Sequence, residues 1–317
     1  MGATPVTIVT GFLGAGKTTL IGRLLRDPRY ANTAVIVNEF GEIALDHDLI
    51  AAGDETLLQL STGCLCCAVR SDLVATLLDL AARRATGEIA FDRVVIETSG
   101  LADPAPVLHA LMTDQALGET FAIAAVVTLV DALLGAETLA AHPEAARQLA
   151  FADRIVVTKT DLAPQAPALA AIAAHNTLAP ISEGLPDPTL LFAPGRNDTV
   201  PDTLARHTDG ISVCLIRRTE PLPALALTLL LETLAEQCGA NLLRVKGLFD
   251  VAEVPGRPAV IHAVQHVIAP VTFLPEWPSD DHTSRAVVIG VGIPPHFPAR
   301  LLDAICSEVR DEMARPS

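Results

Sequence analysis

A chain of 317 residues, half of them hydrophobic and only 19% charged, carries too much apolar side chain for a disordered protein. At about 150 residues per domain it is long enough for two folded domains. Its 22 Lys and Arg against 37 Asp and Glu leave a formal charge of −15, a field that repels phosphates and excludes nucleic acid as a bulk partner, although a local anion site remains open to it.

From Val6 to about Leu191, short Val/Ile-rich runs alternate with Leu/Ala-rich stretches. The runs Val6–Thr10, Ala34–Asn38, Val94–Glu97, Ile123–Val130 and Arg154–Thr158 are apolar almost throughout, as suits parallel strands covered on both faces. Thr18–Arg26, Ser71–Arg84, Pro104–Met112 and Pro164–Ala174 read as helices between or after them. This alternation predicts an α/β domain with a doubly wound, mainly parallel sheet. A Pro-, Gly- and Asp-rich stretch, Phe192–Gly210, then breaks the pattern. The expected division is a first domain over residues 1–195, a linker over 196–210 and a smaller α+β domain over 211–317. That last part reads as strand Ile211–Arg218, helix Leu222–Cys238, strands Leu242–Asp250, Ala259–Val267 and Ala286–Val291, and helix Pro298–Arg310. Strands without crossover helices point to a mixed or antiparallel sheet with helices on one face. No segment begins with a basic stretch before a signal-like apolar run, and none reaches the roughly 18 uncharged apolar residues that span a bilayer. A cytoplasmic protein without a membrane partner is expected.

Gly11-Phe-Leu-Gly-Ala-Gly-Lys-Thr18 follows the first predicted strand and opens a helix, matching G-x-x-x-x-G-K-[ST] in its strand–loop–helix context. Gly14 and Gly16 let backbone N–H groups wrap a β-phosphate that also meets the positive end of the helix. Lys17 would reach the β- and γ-oxygens, and Thr18 can offer its hydroxyl to Mg²⁺. Thr158-Lys159-Thr160-Asp161 fits the [N/T]-K-x-D pattern of GTPases. The Asp161 carboxylate can accept from guanine N1–H and its 2-amino group, a donor pair adenine lacks, so GTP is favoured over ATP. The Lys159 stem can lie over the purine, with Thr158 as a short polar prop. The alternative for Asp161 is an N-cap of the helix that follows.

Val94-Val-Ile-Glu97 ends a strand in Glu97-Thr-Ser-Gly100, where P-loop proteins place an acid beside Mg²⁺ and a glycine N–H that senses the γ-phosphate. Gly100 would start a mobile switch continuing through Asp103. A second candidate switch is Asn38-Glu-Phe-Gly-Glu42, followed by Asp46, His47 and Asp48, with an acidic solvated loop as the alternative.

Six cysteines are too few for a disulfide scaffold, and three crowd into Gly63-Cys64-Leu-Cys66-Cys67. Three sulfurs so close together can reach one tetrahedral Zn²⁺, with Glu42 the candidate fourth ligand and a histidine or water as rivals. Buried or redox-active thiols are the alternatives. Cys214, Cys238 and Cys306 sit singly in apolar patterns and read as core residues.

The phosphate loop, Asn38-Glu-Phe-Gly-Glu42, the Cys-x-Cys-Cys motif, Glu97-Thr-Ser-Gly-Leu-Ala-Asp-Pro104 and Thr158-Lys-Thr-Asp161, in that order, closely resemble the CobW-like GTPases, relatives of the HypB and UreG metallochaperones. Arg244-Val-Lys-Gly247, His262-Ala-Val-Gln265 and Ser284-Arg-Ala-Val-Val-Ile-Gly290 extend the resemblance through the second domain. It implies a P-loop NTPase fold, Mg²⁺-dependent GTP hydrolysis and nucleotide contacts at Gly11, Gly14, Ala15, Gly16, Lys17, Thr18 and Thr19. It further implies guanine recognition at Thr158 to Asp161, thiolate binding of Zn²⁺ or a neighbour such as Co²⁺ or Ni²⁺ at Cys64, Cys66 and Cys67, and delivery to a client metalloprotein. A nucleotide- or metal-dependent homodimer stays open. Competing readings are a metal- or redox-responsive regulatory P-loop protein and a small-molecule phosphotransferase.

Overall fold

The computed structural model describes residues 3–37, 57–59, 67–176, 179–183, 191–192 and 210–313. Contacts divide the chain into two compact units, Met1–Gly195 and Arg196–Ser317.

The first unit is built on strands β1 (Thr4–Gly11), β2 (Thr33–Val37), β3 (Leu57–Gln59), β4 (Arg93–Glu97), β5 (Phe121–Asp131), β6 (Arg154–Thr158) and β7 (Ile181–Glu183). They form one sheet in the order β3-β2-β4-β1-β5-β6-β7, with every pairing parallel. The helices are α1 (Lys17–Arg26), α2 (Cys67–Ala85), α3 (Ala105–Thr113), α4 (Gln115–Thr120), α5 (Gly135–Ala141), α6 (Pro143–Ala150) and α7 (Ala166–His175). Val6, Ile8 and Val9 of β1 and Val94, Val95 and Ile96 of β4 are all fully buried, which is why these strands read as unbroken apolar runs rather than alternating ones. The chain turns to opposite sides of β1 to build the two halves of the sheet, so the crevice for a ligand opens at the C-terminal end of β1, between β4 and β5. The first unit is thus the doubly wound parallel sheet the alternation predicts. Four pieces of this unit were not expected from the sequence: the short helices α4, α5 and α6, each of eight residues or fewer, and the three-residue edge strand β7.

The second unit comprises β8 (Ile211–Arg218), α8 (Ala224–Cys238), β9 (Leu242–Phe249), β10 (Ala259–Val264), β11 (Val267–Ile268), β12 (Thr272–Phe273), β13 (Ser284–Val291) and α9 (Phe297–Met313). Its sheet runs β11-β10-β9-β13-β8, with β12 on β10, and all its pairings are antiparallel. Both helices pack on one face: Leu227, Leu230 and Leu234 of α8 and Leu302, Cys306 and Val309 of α9 share a core with Cys214, Val245, Ile261 and Val288 of the strands. The predicted strand Ala259–Val267 is in fact a hairpin. Gln265 takes a left-handed φ of 51°, ending β10 at Val264 and sending β11 back along it. A polar residue in this position is a weak turn signal beside Asn or Gly.

Gly247 shows how closely the second sheet is packed. A Cβ there would lie 2.5 Å from Ala286 Cβ and 2.8 Å from Arg285 O on the neighbouring strand. Gly247→Ala is expected to cost about 1–3 kcal/mol through strand displacement, read as a lower denaturation midpoint for this unit.

Candidate functional site

The phosphate loop leaves β1 with its backbone in conformations that only glycine holds easily. Gly16, at the N-cap of α1, has φ 91°, and a Cβ on Gly11, at φ 141°, would lie 2.6 Å from Leu129 O. The turn is closed by Ala15 N–H donating to Phe12 O at 3.1 Å. Lys17 opens α1 and is only 8% exposed; its Nζ donates to Gly11 O at 2.9 Å and Phe12 O at 3.3 Å, holding the ammonium along the loop. The Phe12 ring stacks on His142 at 4.5 Å between centroids and packs against the cluster around Val130, Leu139 and Leu149.

Next to the loop, Thr18 Oγ1 donates to Glu97 Oε1 at 3.1 Å, and Glu97 is 5% exposed at the end of β4. The register Val9↔Glu97 brings the carboxylate level with the start of the loop. A hydroxyl and a buried carboxylate side by side are hard oxygen donors, so the pair fits Mg²⁺. Beyond Glu97 the chain turns back under the loop. Gly100 is buried, and a Cβ there would meet Leu13 Cα and N, both at 2.8 Å, so the chain can pass only as glycine. Asp103 accepts from Ala105 N–H at 2.8 Å at the start of α3 and pairs with Arg147 of α6 at 3.2 Å.

The tetrapeptide Thr158-Lys-Thr-Asp161 begins at the end of β6, two strands from β1. Thr158 Oγ1 donates to Ala15 O at 2.7 Å and Thr158 O accepts from Ala132 N–H at 2.8 Å, which ties the tetrapeptide to the phosphate loop and to the end of β5. Lys159 has a left-handed φ of 55°, and its Nζ reaches Asp131 Oδ2 at 2.9 Å. A groove of about 250 Å³ is lined by Gly16, Thr19, Arg23, Lys159 and Asp161. Asp161 is exposed in it, and α7 begins only at Ala166 with Gln165 as its N-cap. The capping alternative for Asp161 therefore falls.

Asp131 was not singled out from the sequence, because it acts on Lys159 across 28 positions. It is 6% exposed and its second oxygen accepts from Leu134 N–H. Its only sequence signal is an acid at the end of the long apolar run of β5. Asp131→Asn keeps the bond from Leu134 and removes the charge that holds Lys159. The expected result is a several-fold rise in Kd for GTP with kcat little changed, measured by nucleotide titration and steady-state hydrolysis.

Asn38 to Glu42, Asp46, His47, Asp48, Cys64 and Cys66 lie outside the described residues, as does the side chain of Cys67, whose backbone opens α2. Among the described residues no group of three or more His, Cys, Asp and Glu side chains forms a metal cluster. Of the other cysteines, Cys214 and Cys306 are buried and Cys238 half-buried. Burial pushes the Cys214 thiol up to about 11, and the other two are raised for the same reason, which suits inert core residues. Among the described residues no helix is long and apolar enough to cross a membrane.

A phosphate loop at the end of the central parallel strand, a part-buried Thr–Glu pair beside it and a groove at Thr158-Lys-Thr-Asp161 on the same edge define a P-loop GTPase. Residues 5–181 match the nucleotide-binding domain of the CobW/HypB/UreG family and residues 211–306 match the cobalamin synthesis protein cobW C-terminal domain, and the chain belongs to this family. It is 33% identical over 302 residues to the zinc chaperone YjiA of Escherichia coli, spanning 91% of this chain and 94% of that one. It is 34% identical over 165 residues to the zinc-regulated GTPase metalloprotein activator 1 of Schizosaccharomyces pombe, half of this chain and 39% of that one. Among solved structures, Zn(II)-bound YjiA GTPase from E. coli superposes with a TM-score of 0.75 at 28% identity, covering 96% of this chain and 99% of that one.

Proposed function

We propose that this GTPase is a cytoplasmic metallochaperone that carries Zn²⁺, or a neighbour such as Co²⁺ or Ni²⁺, on Cys64, Cys66, Cys67 and Glu42 and hands it to a client metalloprotein. The observation that carries the reading is the shared edge of the first sheet. β3 is parallel to β2, so Gln59, five residues before Cys64, ends its strand at the same edge of the sheet where β1 enters the phosphate loop, and Cys67 opens α2. Cargo binding on that edge is then able to sense the nucleotide. The names of the relatives, a zinc chaperone and a zinc-regulated metalloprotein activator, support zinc as cargo and a protein client.

The residues around GTP divide the chemistry. Gly14 to Thr19 surround the phosphates, with the N-terminus of α1 and Lys17 drawing off negative charge as the β–γ bridge breaks. Thr18 and Glu97 hold Mg²⁺, which when bound neutralises the β- and γ-oxygens. Gly100 N–H contacts the γ-phosphate, and Asp161 with Lys159 selects guanine. Because binding free energies are reciprocal, a metal that favours the GTP form must itself bind more tightly with GTP present, and hydrolysis resets that affinity.

The test is GTP hydrolysis by metal-stripped protein in Mg²⁺ buffer, with and without one equivalent of Zn²⁺ and with ATP as control. A zinc-dependent rise confined to GTP supports the chaperone cycle. A rate indifferent to zinc, with zinc affinity equal in the GTP, GDP and empty states, rejects the coupling and assigns the cysteines a structural or redox role.

A further inference from the structure

Helix α6 sends two neighbouring side chains to the segment Gly100–Asp103 that follows Glu97, and neither belongs to a nucleotide-binding motif. Gln148 is 1% exposed, and its Nε2 donates to Gly100 O at 3.1 Å and to Ala102 O at 3.0 Å. Its own backbone carbonyl accepts from Thr128 Oγ1 on β5 at 3.0 Å, so one residue joins a central strand to the chain that follows Glu97. Arg147, 41% exposed, adds the ion pair to Asp103 three residues further along that chain.

Packing alone does not account for the amide. Among the described residues Gln148 Oε1 is buried with no donor, a costly arrangement that a methionine of similar shape would avoid. What the amide supplies is its two donated bonds. Glycine has no side chain to hold its backbone, so the orientation of Gly100 depends on what its neighbouring peptide groups are bonded to and on the wall formed by Leu13.

We propose that Gln148 is a positioning residue for GTP hydrolysis: by clamping the Gly100 and Ala102 carbonyls from α6 it aims the Gly100 N–H at the γ-phosphate, with Arg147 bracing the same segment through Asp103. This rests on the reading of Gly100 as the γ-phosphate contact. GDP has no γ-phosphate, so the clamp matters to GTP and its hydrolysis and not to GDP.

The experiment compares the wild-type chain with Gln148→Met, which keeps the shape, Arg147→Ala, which leaves the core untouched, and Gly100→Ala. Kinetics of GTP hydrolysis, Kd for GTP and GDP, and melting temperature are measured for each. For Gln148→Met, kcat is expected to fall roughly ten- to hundredfold and the preference for GTP over GDP to shrink, with Kd for GDP near wild type and a melting temperature lower by only a few degrees, from the two carbonyls that lose their donor. Arg147→Ala should move the same quantities in the same direction by a few-fold. Wild-type kcat and nucleotide preference in Gln148→Met, while Gly100→Ala is inactive, would overturn the clamp alone. Full activity in Gly100→Ala would overturn the Gly100 reading and the clamp with it. A loss of GDP affinity in Gln148→Met, in parallel with a larger fall in melting temperature, would make Gln148 a packing residue only.

Discussion

Lys17→Ala is expected to lower GTP hydrolysis on the order of 10³-fold or more while the protein stays folded and its zinc stoichiometry stays near wild type. The kinetic loss follows from where the ammonium sits. Lys17 is almost fully buried against the carbonyls of Gly11 and Phe12, inside the turn that wraps the phosphates, where little water screens it. The structural tolerance follows from helix physics. Lys17 is the first residue of α1, where a cation opposes the helix dipole, and alanine is the better helix former. Cys66→Ala should show the reverse order, with metal binding weakened first. Single-turnover hydrolysis together with zinc counting checks both variants. Loss of hydrolysis in both at unchanged metal content would contradict this division of labour between loop and cysteines.

Legibility from sequence followed how local each feature is. β6 and β8 occupy the spans that the runs Arg154–Thr158 and Ile211–Arg218 mark out, because a β-branched run bounded by charge or glycine carries its own limits. The phosphate loop is equally local: one glycine-rich stretch supplies the cradle, the lysine and the hydroxyl. Glu97 needed only the order of the motifs. The residues that hold those motifs in place act at a distance and left little trace. Gln148 meets Gly100 across 48 positions and Asp131 meets Lys159 across 28, and neither stands in a pattern that distinguishes it from an ordinary helix glutamine or strand-end acid. The helix carrying Gln148 was itself hidden, since Pro143–Ala150 is short and rich in alanine. Asp161 lay between these cases, because its residue type suits both a cap and a base reader. The start of α7, five residues further on, removes the cap.

Asp161→Asn is expected to exchange the base preference rather than merely weaken it. A carboxylate facing guanine accepts from N1–H and the 2-amino group. The carboxamide keeps one acceptor and turns a donor toward the 2-amino group, so one bond is lost and two donors collide. Losing one bond to a charged group costs about 1.5–3 kcal/mol, and the collision of donors adds to it. The side chain stands exposed in an open groove, where water competes, so the lower end applies, roughly tenfold or somewhat more in Kd for GTP. Xanthine carries a carbonyl where guanine carries that amino group. The carboxamide donor then meets an acceptor while its oxygen still takes N1–H, and xanthosine triphosphate should bind the variant better than GTP does. Adenine offers neither pattern, so ATP should remain weak in both proteins. Lys159 and its partner Asp131 are untouched by the change, and the phosphate loop still sees the same triphosphate, so kcat with xanthosine triphosphate should approach that of the wild type with GTP. Competition binding with the three nucleotides decides it: an unchanged ranking would remove Asp161 from base recognition, and a uniform fall for all three would make it a structural support of the groove.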